Sequence, residues 1–215
     1  MSEPPPFQVI ASRKLLPAVA GLTRPEQAVA LAKALLAGGL DVMEITLRHP
    51  SSLDCIRAIV AEVPEMTIGA GTILLPHQVL DALKAGATFG VSPGFNPDTM
   101  ITAIEEDLPF IPGVATGGEI EQAIAMGSTF VKFFPAEPLG GIQWLEAISG
   151  PYQQTGVRIV PMGGIRPRNL TAYTDLPIVA AAGGSWMAAP DLIRDGHWDE
   201  VTRLTKEALA ILTGC

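Results

Sequence analysis

Short β-branched or apolar runs alternate along this chain with longer Ala-rich stretches whose apolar positions recur every three or four residues. A period of two reads as a strand and a period near 3.6 as a helix. Strands are therefore predicted at Leu15–Ala20, Asp41–Ile45, Thr67–Ala70, Thr88–Val91, Phe110–Pro112, Thr129–Phe133, Arg158–Pro161 and Ile178–Ala182. Helices are predicted near Pro25–Ala37, Ser51–Val63, Pro76–Ala85, Pro97–Glu106, Gly118–Met126, Ile142–Ile148, Pro167–Thr174 and Trp198–Leu212. Several open on a proline in the first turn, where its missing N–H costs nothing, and several end at glycine (Gly38, Gly86, Gly127). The residues before Leu15 are expected to form a short extension that closes one end of the fold, and Pro190–Asp195 an additional short helix.

Eight strand–helix units in 215 residues imply an α/β fold, a single-domain (β/α)8 TIM barrel over residues 1–215, at the compact end of the size range. The runner-up is a doubly wound open sheet. That fold usually carries a dinucleotide fingerprint after an early strand, and Gly21-Leu22-Thr23-Arg24 does not fit G-x-G-x-x-G. A barrel concentrates its chemistry at the C-terminal ends of the strands, so polar residues at those ends carry extra weight.

Composition narrows the classes of partner. Hydrophobic residues make up 48% of the chain and charged residues 17%, enough for a large core. The net charge of −8 disfavours nucleic acid and anionic membrane, both of which need a basic face. A small anionic substrate remains possible, because it needs only a local positive pocket. No apolar stretch approaches the roughly 20 residues that span a bilayer, and Met1-Ser2-Glu3-Pro4-Pro5-Pro6 does not read as a signal peptide. Two cysteines, Cys55 and Cys215, suggest no disulfide framework and point to a reducing cytoplasm. His49, His77 and His197 are scattered without metal-ligand spacing, so neither a metal nor a cofactor is expected. Glu119 and Glu121 read as a solvated helix face.

The residue that stands out is Lys132. Of five lysines, it alone falls within a strand run, Ser128-Thr129-Phe130-Val131-Lys132-Phe133-Phe134-Pro135. Alternation puts Phe130, Lys132 and Phe134 on one face. Desolvating an ammonium is costly; a buried lysine tends to lose its proton, and a neutral amine attacks ketones to form imines. A lysine snorkelling from a barrel mouth, or a plain ion-pair member, is the blander reading. Glu44 shares a face with Val42, so its carboxylate points inward with the lysine, either as a salt-bridge partner or as the proton shuttle that imine chemistry needs. Arg48, four residues on, is either a solvated charge or a bidentate partner for a carboxylate. Thr72 adds a hydroxyl after Gly69-Ala70-Gly71. Gly163-Gly164 and Gly183-Gly184-Ser185 follow the last two strands, where barrels often seat a phosphate; the alternative is turn geometry alone.

Together these segments resemble the class I 2-keto-3-deoxy-6-phosphogluconate (KDPG) and 2-keto-4-hydroxyglutarate (KHG) aldolase family. The resemblance runs in order through Val42-Met43-Glu44-Ile45-Thr46-Leu47-Arg48, Ile68-Gly69-Ala70-Gly71-Thr72, Val91-Ser92-Pro93-Gly94, Ile111-Pro112-Gly113, Val131-Lys132-Phe133-Phe134-Pro135-Ala136-Glu137 and Gly183-Gly184-Ser185-Trp186. It implies a homotrimeric barrel that cleaves the phosphorylated keto acid to pyruvate and glyceraldehyde 3-phosphate. It also implies Lys132 as the Schiff-base lysine, Glu44 as the proton-shuttling base, Arg48 and Thr72 on the pyruvate carboxylate, and Gly163, Gly164 and Ser185 at the phosphate. Pro93, Phe134, Met162 and Gly184 complete the substrate-binding set that the resemblance implies. The family usually has Pro-Thr-Gly-Gly-Ile after strand seven, whereas this chain has Pro161-Met162-Gly163-Gly164-Ile165, which replaces a hydroxyl by a thioether. That leaves open a related substrate, such as 2-keto-4-hydroxyglutarate or the galactonate-derived keto acid. An oxaloacetate decarboxylase, an isomerase or epimerase, and a non-catalytic sugar-phosphate-binding barrel also remain.

Overall fold

The alternation in the sequence becomes a curled set of parallel strands connected by α-helices. The computed structural model describes residues 5–214; Cys215 and the start of the expected extension lie outside the described residues. Among the described residues the strands are β1 Leu15–Val19, β2 Val42–Thr46, β3 Thr67–Gly71, β4 Phe89–Val91, β5 Phe110–Ile111, β6 Gly113–Val114, β7 Phe130–Phe133, β8 Arg158–Pro161 and β9 Ala182–Gly184. The α-helices are α1 Pro5–Arg13, α2 Pro25–Ala37, α3 Ser52–Glu62, α4 Pro76–Ala85, α5 Pro97–Glu105, α6 Gly117–Ala125, α7 Gly141–Tyr152, α8 Pro167–Thr174, α9 Pro190–Asp195 and α10 Trp198–Thr213.

Two parallel sheets result, one in the order β5-β4-β3-β2-β1-β9 and one in the order β6-β7-β8. The expected fifth strand, Phe110–Pro112, stops at Ile111 because Pro112 has no N–H to give to a ladder, and the chain resumes past it as β6 in the other sheet. The Pro112 carbonyl still accepts the Lys132 amide at 2.8 Å, so the chain passes directly from one sheet to the other. The last strand also departs from expectation: β9 is Ala182–Gly184, not Ile178–Ala182. The reason is a change of partner. Ile159 donates to Ile178 (2.8 Å) and Ala180 to Ile159 (2.9 Å), after which the Ala182 amide turns to Lys14 (3.0 Å) and pairs with β1. A further parallel bridge joins Met162 and Gly183. Helix α7 runs past its expected end and includes Pro151.

The core is continuous. Phe133 turns outward and stacks on Trp144 of α7, with ring centroids 4.1 Å apart and planes 8° from parallel. Phe130, on the opposite face, meets Phe7 of α1 at 4.7 Å, so α1 covers the end of β7 where the strand begins. A bidentate pair, Arg13 to Asp41 with both contacts at 2.7 Å, ties the end of α1 to the residue before β2. Glu119 and Glu121 are not a bare solvated face. Glu119 accepts from the Ala115 and Thr116 amides (2.8 and 2.9 Å) and closes a capping box on α6, while Glu121 accepts the Tyr152 hydroxyl at 2.8 Å.

Candidate active site

At the C-terminal ends of the strands lies a cavity of about 200 Å³, and Lys132 and Glu44 line it together. Each is the third residue of a short buried strand, Glu44 of β2 in one sheet and Lys132 of β7 in the other. Lys132 is 6% exposed and Glu44 fully buried. The Lys132 Nζ is 3.4 Å from Oε1 of Glu44 and 5.3 Å from the centre of the Phe134 ring. Lys132 and Phe134, two residues apart, both face the cavity, and Phe130 meets α1 instead. Oε2 of Glu44 is buried without a hydrogen-bond partner. An acceptor left open beside an amine is an arrangement suited to receiving a proton from a ligand or a water in the cavity.

Space for that carboxylate comes from Gly71 on the neighbouring strand, where a Cβ would stand 2.6 Å from Oε2. One residue on, Thr72 has φ of 61°, a left-handed backbone that a β-branched side chain adopts only under strain of roughly 1–3 kcal/mol. Its hydroxyl accepts from Nε of Arg48 at 3.3 Å, and Arg48 lines the cavity. Met162, Gly163 and Gly164 line another wall, with Gly183, Gly184 and Ser185 from the end of β9 beside them. Gly163 and Gly164 have φ of 100° and 88°. Their turn is held by its neighbour: the Ala136 and Glu137 amides donate to the carbonyls of Met162 (2.7 Å) and Gly163 (3.0 Å). Behind the turn, Glu137 accepts a short hydrogen bond from the buried Tyr173 hydroxyl, and burial together with that carboxylate pushes the phenol well above its ordinary pKa.

Thus Lys132, Glu44, Arg48, Phe134, Met162, Gly163, Gly164, Gly184 and Ser185 line one cavity. Thr72 reaches it through Arg48. Pro93 does not line it; the Pro93 carbonyl carbon packs over β6, 2.2 Å from where a Cβ on Gly113 would stand. Ser92 fixes that crossing, accepting the Gly113 amide at 3.1 Å and donating to the Gly94 carbonyl at 2.7 Å. The cavity also includes residues that strand-end reasoning passed over: Ala18, Ala20, Thr46, Ile165 and Arg166. Ala18 is paired with Glu44 across β1 and β2, and its small side chain leaves room at that depth. Among the described residues no group of three or more His, Cys, Asp or Glu side chains is placed to hold a metal ion.

A family model for aldolases, described as KDPG and KHG aldolase, matches residues 8–204. The chain belongs to the KDPG and KHG aldolase family. The KHG/KDPG aldolase of Escherichia coli K12 is 45% identical over 184 residues, which are 86% of this chain and 85% of that one. The 2-dehydro-3-deoxy-phosphogluconate aldolase of Treponema pallidum is 43% identical over 96% of this chain and 97% of its own. The crystal structure of the KDPG aldolase of Legionella pneumophila, in which pyruvate is captured at low pH as a covalent carbinolamine intermediate, has a TM-score of 0.90 at 39% identity. It covers 94% of this chain and 97% of that one. Family membership gives the Lys132–Glu44 pair an aldolase setting and turns the question from reaction class to the role of each residue.

Proposed function

We infer that this chain is a class I aldolase that forms a Schiff base and cleaves 2-keto-3-deoxy-6-phosphogluconate to pyruvate and glyceraldehyde 3-phosphate. The observation that carries the assignment of roles is the buried pair of Lys132 and Glu44, 3.4 Å apart in a cavity at the strand ends.

The neutral amine of Lys132 attacks C2 of the keto acid and forms a carbinolamine. Glu44 returns a proton to the C2 hydroxyl, water leaves, and a protonated imine remains. Glu44, directly or through a water, then takes the proton of the C4 hydroxyl. The C3–C4 bond breaks, its electrons pass into the imine, and the aldehyde departs. The enamine left on Lys132 is protonated at C3, and water hydrolyses the resulting imine to release pyruvate. The free Oε2 of Glu44 supports this shuttle, since a carboxylate satisfied on both oxygens would be a poor base. Arg48 is the bidentate partner of the keto-acid carboxylate, with Thr72 holding its guanidinium from the other side. Fixing the carboxylate fixes the C3–C4 bond relative to the imine plane. Gly163, Gly164, Gly184 and Ser185 offer backbone amides and a hydroxyl to the phosphate. Phe134 gives Lys132 an apolar flank, and Met162 contacts the middle of the substrate, where a thioether donates no hydrogen bond to a hydroxyl.

The two parallel sheets are proposed to form one closed (β/α)8 barrel, supported by the bonds at Pro112 and between Ile159, Ile178 and Ala180. The chain is proposed to act without metal or cofactor as a homotrimer in the cytoplasm. Exposed Leu74 and Leu75, with Ile101 and Ile104 of α5, support association with further copies. Among the described residues no helix is long and apolar enough to cross a membrane.

The test is pyruvate release, coupled to NADH oxidation by lactate dehydrogenase, from the gluconate-, galactonate- and glutarate-derived keto acids. The highest kcat/KM is expected for 2-keto-3-deoxy-6-phosphogluconate. A higher value for either of the other two would reassign the substrate. Met162→Thr is expected to change the ratio between the gluconate and galactonate epimers while pyruvate still forms, because the change touches hydroxyl recognition and not the amine.

A further inference from the structure

Arg166 is a cavity-lining cation to which the steps above give no task. It follows Gly163-Gly164-Ile165 at the end of β8 and immediately precedes α8. Pro167 keeps the residue before it out of helical backbone, and Arg166 is accordingly extended, with φ −144° and ψ 167°. Asn169 fixes the same loop at two points. Its side-chain oxygen accepts the Arg166 amide at 2.7 Å, and its side-chain nitrogen donates to the Gly164 carbonyl at 3.4 Å. The arginine therefore starts from a pinned backbone next to the glycine turns, with Arg48 and Thr72 in the separate loops after β2 and β3. Arg13, Arg57, Arg194 and Arg203 each hold a carboxylate. Among the described residues no carboxylate pairs with Arg166.

We propose that Arg166 is a specificity-determining residue that takes the terminal phosphate monoester of the substrate. The proposal rests on the aldolase reading and deepens it, adding a side-chain charge to a seat otherwise made of glycine amides and one hydroxyl. The physical need is clear: a chain of net charge −8 repels a polyanionic substrate at long range. Arg48 and Lys132 serve the carboxylate and ketone end. A guanidinium without a carboxylate of its own is available to a phosphate and matches it with two parallel N–H donors. A dianionic phosphate gains more from it than the single carboxylate that ends a dicarboxylic keto acid, and a neutral hydroxymethyl end gains least. Arg166 thus ranks substrates by the charge at their far end. Because it is exposed, the advantage shrinks as salt rises.

The test compares the wild type with Arg166→Gln and Arg166→Lys on three substrates: 2-keto-3-deoxy-6-phosphogluconate, its unphosphorylated analogue and 2-keto-4-hydroxyglutarate. Arg166→Gln is expected to raise KM for the phosphorylated substrate about tenfold to a hundredfold. Its kcat should change little, since the contact is made equally in the ground and transition states. The unphosphorylated analogue should be nearly unaffected, the dicarboxylate intermediate, and Arg166→Lys should recover part of the loss. In parallel, inorganic phosphate titrated by 31P NMR should bind more weakly to Arg166→Gln than to wild type. An equal KM rise on all three substrates, no rise on any, or unchanged phosphate affinity would overturn the proposal. Failure of the aldolase reading shows separately as absence of a pyruvate adduct on Lys132, and the phosphate titration does not depend on turnover.

Discussion

A methyl group on residue 71 would stand 2.6 Å from a carboxylate oxygen of Glu44, which is fully buried. Gly71→Ala must therefore move Glu44 away from Lys132 or force β2 and β3 apart. We expect kcat to fall about a hundredfold, the usual cost of displacing a catalytic group by about 1 Å, with far-ultraviolet circular dichroism unchanged. A near-normal kcat would mean that Glu44 is not the proton shuttle. The reason Lys132 and Glu44 could be read from sequence is strand alternation, which places a charged residue among apolar neighbours on a predictable face. Thr72 and Arg166 were harder. Neither the left-handed backbone of Thr72 nor the reach of an arginine beyond a strand end leaves a periodic trace. Pro93, placed in the substrate-binding set by resemblance alone, lies outside the lining of this cavity, and its loop folds onto Gly113.

Among the elements, the fifth strand is the most sensitive. A Cβ on Gly113 would lie 2.2–2.4 Å from backbone atoms of Pro93 and Gly94, where no flexible side chain can give way. Gly113→Ala is expected to destabilise the fold by about 2–4 kcal/mol, read as a lowered urea midpoint; an unchanged midpoint would show that the β4 loop does not cross the strand. The tie between α1 and β2 gives a pH-dependent effect. The two hydrogen bonds from Arg13 hold the Asp41 carboxyl below the usual carboxylate range. A depressed carboxyl contributes stability above its unfolded pKa of about 4 and loses it as pH falls through the lower folded value. Since both side chains are partly exposed, Asp41→Asn should cost no more than about 1 kcal/mol near pH 7. That difference should vanish in acid; one that persisted there would assign it to packing. Helix positions were legible because proline marks the first turns of α2, α4, α5, α8 and α9 and apolar spacing gives their length. The ends of β5 and β9 were not, because hydrogen bonds to two different neighbours decide where each strand stops and resumes.

For the whole molecule, order and class of elements followed from the sequence, since each strand–helix unit is a local pattern. How the sheets join depends on contacts between residues far apart in the chain, and these have no local signature. The proposed closed barrel predicts that amides at the joins, Lys132, Ile159 and Ala180, exchange with deuterium as slowly as those of the central β2–β3 pair. Fast exchange at Ile159 and Ala180 with slow exchange at β2 and β3 would describe an open sheet instead. The fold, rather than any local pattern, brings Arg48, Lys132 and Arg166 of this acidic chain around one cavity.

Imine formation between Lys132 and a 2-keto acid is tested by borohydride reduction in the presence of pyruvate, followed by peptide mass spectrometry. A reduced pyruvate adduct is expected on Lys132, dependent on both pyruvate and borohydride and lost in Lys132→Ala. An adduct on another lysine, or one retained in full by Lys132→Ala, would contradict imine formation at Lys132.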